Sequence, residues 1–236
     1  MNWALLAGLI AAYAWYLRGG GVPPGTTRID RYRRWMRRAP MAFGASALAA
    51  LALSGRLDAL ARLPAEFAGI AVHARRFAGF GGDPAAIGLG TLIALGISTI
   101  LGLILVRWQV RGGRRPFTSG NVERILPREG GEFAWTAALG TAAAVVEELF
   151  FRLALPLFAT LATGSAWLGF AFATVLFGAG HRFQGLRGRI FAGVVGALLG
   201  WLYLATGALW FTMLTHALLN LNGLVLRPAI ARRESD

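Results

Sequence analysis

The stretch Val145–Leu157, VVEELFFRLALPL, sets two adjacent glutamates, Glu147 and Glu148, and an arginine, Arg152, in the middle of a long hydrophobic run. A charged side chain at the centre of a membrane helix costs about 2.5 to 3.5 kcal/mol, so three uncompensated ones would cost roughly 8 to 10 kcal/mol. Some arrangement must offset that cost. On a helix, Glu148 and Arg152 lie four residues apart and can pair along one face. Glu147 lies about 100° around the helix, where no local cation meets it. Pro156 cannot donate to the carbonyl of Arg152 and is expected to kink the helix just beyond the charges.

The rest of the chain puts this run in a membrane. The sequence has 236 residues, 56% hydrophobic and 15% charged, with a mean hydropathy of +0.55, too apolar for a soluble globular domain. The formal charge is +13 and every basic residue is arginine. The arginines fall in short segments between apolar runs, where membrane topology explains them more economically than nucleic-acid binding does. With no cysteine, disulfides and thiolate metal sites are excluded.

A bilayer core of about 30 Å takes about 20 apolar residues per helix. Seven segments approach that length: Asn2 to Leu17, Pro40 to Leu53, Ala85 to Val106, Phe133 to Leu157, Ser165 to Gly180, Ile190 to Ala205 and Ala208 to Leu226. Leu57 to Phe77 is amphipathic, is interrupted by Pro64, and reads as an interfacial helix. The expected fold is all-α: a polytopic helical membrane protein of about seven transmembrane helices, six to eight, in one bundle. Alternate loops hold seven, six, three and three arginines on one side, nineteen in all, and four on the other. This bias predicts an outer N-terminus and a cytoplasmic C-terminus. Gly193, Gly196 and Gly200 predict close helix packing in the sixth span.

Two further polar clusters lie inside spans. FGAGH, Phe177 to His181, ends the fifth, and HALLN, His216 to Asn220, lies in the seventh with Thr212 one turn earlier on the same face. A lone histidine or asparagine in a membrane can simply bond a neighbouring helix. Here, however, two of the three histidines lie in spans alongside a glutamate that has no local partner. His73, in the amphipathic segment, has no such company and carries no functional reading.

The order Glu147-Glu148-x-x-x-Arg152, Phe177-x-x-x-His181, His216-x-x-x-Asn220 on successive apolar segments resembles the CPBP family of intramembrane proteases. That family includes CAAX prenyl endopeptidases and bacteriocin-processing or self-immunity proteins. The approach LPREGGEF before the first motif is also similar, and the likeness spans about Leu126 to Leu226. It implies a division into N-terminal helices and basic loops (1–125), a catalytic core (126–226) and a cytoplasmic tail (227–236). It also implies a glutamic-type endopeptidase: Glu147 and His181 hold and deprotonate water, His216 and Asn220 face the oxyanion, and Glu148 and Arg152 support the first motif. No cofactor is expected; were zinc bound, Glu147, His181 and His216 would be its ligands.

A flat map puts Glu147 midway along its span and His181 near the inner edge, farther apart than a hydrogen bond. Helix tilt or shifted boundaries would have to close that gap. The implied partners are the lipid bilayer and a membrane-associated protein or peptide substrate, not nucleic acid. Candidate substrates are CaaX-like tails, leader peptides and C-terminal sorting tails. Arginine-rich usage suggests a bacterial inner (plasma) membrane. Two other classes fit the same residues: a transporter or proton relay with Glu147 and the histidines lining its path, and a non-proteolytic immunity scaffold.

Overall fold

The computed structural model describes residues 1–19, 25–118, 120–123 and 125–233, which form eight helices, with no strand among them. The helices are α1 (Asn2–Arg18), α2 (28–53), α3 (Ala68–Ala78), α4 (Pro84–Arg111), α5 (130–163), α6 (Ala166–Gly180), α7 (Gly185–Thr206) and α8 (Leu209–Arg233). Three stretches, Pro84–Arg111, Arg182–Thr206 and Leu209–Arg233, are long and apolar enough to cross a membrane. A fourth apolar helix, Ala166–Gly180, is shorter. The chain is an integral membrane protein.

Polar caps fix where several helices begin. Thr27 Oγ1 accepts from Asp30 N at 3.1 Å to start α2, and Asp83 accepts from Ala85 N at 3.1 Å and Ala86 N at 3.2 Å to start α4, with Pro84 in its first turn. Ser165 Oγ accepts from Leu168 N at 3.3 Å to start α6. These caps explain one departure from the hydropathy map. The segment read as Pro40 to Leu53 is the second half of α2, whose first half, Arg28–Ala39, is basic and therefore invisible to an apolar window.

α5 stays helical past Pro156, through Thr163. The disturbance lies upstream, in a π-helical turn over Leu149–Ala154, where Leu155 N–H reaches back five residues to Phe150 O. A widened turn shifts the hydrogen-bond register ahead of the missing proline donor, and the helix runs on. Similar turns occur beside Pro40 (Pro40–Ala45) and ahead of Pro228 (Asn222–Leu226).

The interior is assembled from both halves of the chain. Leu9, Tyr13, Phe43, Ala47 and Leu51 pack with Phe150, Leu153, Leu157 and Phe158 of α5 in one buried cluster. α6 and α7 approach closely: a Cβ on Gly178 would lie 3.3 Å from Gly193 Cα, and one on Gly196 would lie 2.8 Å from Phe177. The glycine stripe thus lies at a helix contact, as expected. Residues 57–78 form 3-10 turns and then α3, burying Phe67, Ile70, Ala71 and Ala74 while Val72 and Phe77 stay exposed. The tail is helical through Arg233 as the end of α8; residues 234–236, and Arg124 of the inner arginine count, lie outside the described residues.

Candidate active site

The three charges near the middle of α5 are buried: Glu148 is 0% exposed, Arg152 2% and Glu147 9%. Arg152 Nε stands 3.1 Å from Glu148 Oε2, the expected pairing at four residues' spacing. The contact is an ion pair with poor hydrogen-bond alignment, and Arg152 Nη2 has no acceptor. The guanidinium instead lies over the Phe177 ring, with Cζ 4.2 Å from its centroid. Phe177 also touches both histidines, its centroid 4.7 Å from His181 and 6.1 Å from His216.

Glu148 has a second partner that the sequence did not announce. His216 Nδ1, on α8, lies 2.7 Å from Glu148 Oε1. A carboxylate only accepts, so Nδ1 carries the proton and the ring's variable nitrogen is Nε2. Nε2 is 4.0 Å from Glu147 Oε2. Glu148 is therefore the hinge of the cluster, joined to Arg152 within its own helix and to His216 across to α8.

His181 follows the same logic. It caps the end of α6, where the chain leaves the helix by a 3-10 turn and Gly185 at φ +74°. Its Nδ1 lies 2.8 Å from Phe177 O, and a carbonyl can only accept, so Nε2 is again the free position. Asn220 donates one Nδ2 hydrogen to Gly140 O at 2.9 Å. A Cβ on Gly140 would sit 3.2 Å from that of Asn220, so the glycine allows this approach of α5 and α8.

Glu147, His181, His216 and Asn220 line one cavity of about 140 Å³. Glu147 and His181, which a flat map sets apart, border the same space, with Phe177 and Phe151 beside them. The zinc alternative fits less well. Among the described residues no three His, Asp or Glu side chains stand close enough to hold one ion. His73 sits apart on α3, with Nδ1 2.9 Å from Gly69 O and its ring 5.9 Å from Trp167.

The cavity also holds side chains that sequence reasoning passed over. Tyr16 of α1, Trp35 and Phe43 of α2, and Gln184 of the turn before α7 complete its wall. An aromatic ring on a helix, or a glutamine in a turn between arginines, looks the same in sequence whether or not it borders a cavity, so nothing in their pattern marked them.

A helical membrane protein that gathers a carboxylate, two imidazoles and an amide around an internal cavity has the make-up of a hydrolase with a buried reacting centre. Residues 129–222 match the family model described as Type II CAAX prenyl endopeptidase Rce1-like, so that segment is similar to a family of peptidases. The match takes in Glu147, Glu148, Arg152, His181, His216 and Asn220. No curated protein and no solved structure matches the chain.

Proposed function

We propose that the chain is an intramembrane endopeptidase that cleaves membrane-associated protein or peptide substrates with water activated by Glu147. The observation that carries this reading is the convergence of Glu147, His181, His216 and Asn220, from three helix regions far apart in sequence, on one cavity. In the proposed reaction Glu147, with His181 Nε2 as a second acceptor, orients a water and takes its proton as the oxygen attacks the scissile carbonyl. His216 Nε2–H and the Asn220 Nδ2–H not used by Gly140 stabilise the oxyanion. With Nδ1–H held by Glu148, donation from Nε2 requires the imidazolium, so Glu148 serves the step by stabilising a cation as well as by positioning the ring. Collapse of the intermediate expels the amine, which receives the proton from Glu147.

The same reading takes the chain as seven spans in a bacterial inner membrane, N-terminus outside, C-terminus cytoplasmic. Residues 126–226 are its catalytic core and 1–125 its supporting helices. CaaX-like tails, leader peptides and C-terminal sorting tails are its substrate classes. Replacing Glu147 by Gln keeps the shape and removes the base. Processing of the native substrate in cells should fall by roughly 100-fold or more at unchanged protein level, with uncleaved tails or leaders accumulating. Full processing by the Glu147→Gln protein would refute the assignment and favour a scaffold.

A further inference from the structure

The chemistry-bearing residues all fall inside the family segment 129–222, yet part of the cavity wall does not. Tyr16, Trp35 and Phe43 come from α1 and α2, and they form a connected unit: the Tyr16 and Phe43 rings lie 4.7 Å apart, and Trp35 Nε1 donates to Tyr16 Oη at 3.0 Å.

That hydrogen bond has a directional consequence. Tyr16 Oη accepts from Trp35, so its own proton is not used there, and no acceptor for it stands among the described residues. The chain's other tyrosines differ. Tyr13, one turn earlier, donates to Leu176 O at 2.7 Å, and Tyr32 donates to Ile125 O at 2.9 Å. Tyr203 is 1% exposed, sealed in the core away from the cavity. Of the four tyrosines, Tyr16 is the one that both lines the space bordered by Glu147 and His216 and has a hydroxyl proton with no acceptor among the described residues.

A peptide that enters the cavity leaves water behind, and each of its carbonyls needs a donor or incurs a desolvation penalty. The proposed reaction employs His216 and the remaining Asn220 N–H on the scissile carbonyl alone. We infer that Tyr16, oriented by Trp35, is a substrate-binding residue that donates its hydroxyl hydrogen bond to a backbone carbonyl of the peptide next to the scissile bond. Trp35 is a positioning residue that acts through Tyr16. The family segment supplies the reaction, and the N-terminal helices supply a recognition wall for peptide backbone. This inference rests on the peptidase reading.

The test uses the full chain in lipid vesicles and a fluorogenic peptide ending in a farnesylated Cys-aliphatic-aliphatic-Met tail. Tyr16→Phe removes one oxygen from a partly buried ring together with the bond from Trp35, so it should lower the unfolding temperature only slightly, by about as much as Trp35→Phe, which loses the same bond. KM should rise roughly three- to ten-fold, with kcat within about two-fold of wild type. Trp35→Phe should raise KM less, and the double variant should match Tyr16→Phe, because Trp35 works only through the hydroxyl. Tyr13→Phe, which loses an internal bond, should lower the unfolding temperature and leave KM alone. An unchanged KM for Tyr16→Phe, or additive effects of the two substitutions, overturns the inference while the peptidase reading stands. A wild-type protein that cleaves neither this peptide nor leader-peptide and sorting-tail peptides overturns both.

Discussion

α4 and α5 are both long helices, yet they place their side chains in opposite ways. α4 is the most apolar of the three candidate spans, with a window hydropathy of 2.4, and only 6% of that window is buried. Ile93, Ile97, Ile100, Leu101 and Ile104 all face outward. α5 carries three charges near its middle, and its stretch from Leu149 to Thr160 is buried throughout. In water the assignment would be reversed. In lipid an apolar side chain gains little by exchanging acyl chains for protein, so strong hydropathy marks the surface while charge and small residues mark the interior. The difference teaches that the helix worst suited to lipid is the one the fold is built around.

The sharpest way to break this comparison is to unpair the charges of α5. Arg152→Ala would leave Glu148 buried with only His216, and Glu148→Ala would leave Arg152 with no carboxylate in direct contact. Each should destabilise the protein by about 3 to 5 kcal/mol, seen as a large drop in unfolding temperature in detergent or as loss of folded protein from membranes. Replacing both at once, Glu148→Gln with Arg152→Met, should cost less than either alanine, since no lone charge remains. Single alanines that unfold like wild type would mean that the ion pair is not what makes α5 tolerable.

The sequence shows why these charges were legible and other parts of the site were not. A glutamate in an apolar run is conspicuous whatever its surroundings, so Glu147, Glu148, Arg152, His181, His216 and Asn220 could be singled out from position alone. Helical periodicity then paired Glu148 with Arg152, because both lie on one helix. It could not pair Glu148 with His216, sixty-eight residues away, since periodicity gives a face and not a partner. Tyr16 and Trp35 stayed hidden for a related reason: an aromatic ring on a helix looks the same in sequence whether it meets lipid, core or cavity. Hydropathy also misplaced the start of α2, because Arg28–Ala39 is helical for reasons of capping and charge rather than apolarity.

A smaller effect sharpens the comparison at α7, whose two sides differ as α4 and α5 do. A Cβ on Gly196 would lie 2.8 Å from the Phe177 ring, while Gly193 has nothing within 4 Å of its Cβ position. Gly196→Ala should therefore destabilise by about 1 to 3 kcal/mol through overpacking. It should also reduce cleavage, because the displaced ring is the one over Arg152 and beside His181. Gly193→Ala should change the unfolding temperature little. Equal effects would show that the close approach of α6 and α7 is not set by this ring.

The smallest expected effect belongs to α4 itself. Ile97 is 54% exposed and Ile100 60%, on a helix whose buried residues are Ile87 and Val106. Truncating either isoleucine to alanine removes methyl groups that face lipid rather than protein, so no cavity forms and no packing partner is lost. Unfolding free energy in detergent should stay within about 0.5 kcal/mol of wild type, the ordinary range for surface substitutions. Arginine at either position would instead meet the insertion cost of a mid-membrane charge, about 3 kcal/mol, with no Glu148 to answer it. If Ile100→Arg were as harmless as Ile100→Ala, this face of α4 would be meeting water, and the contrast with α5 would have to be read as solvent exposure instead of lipid contact.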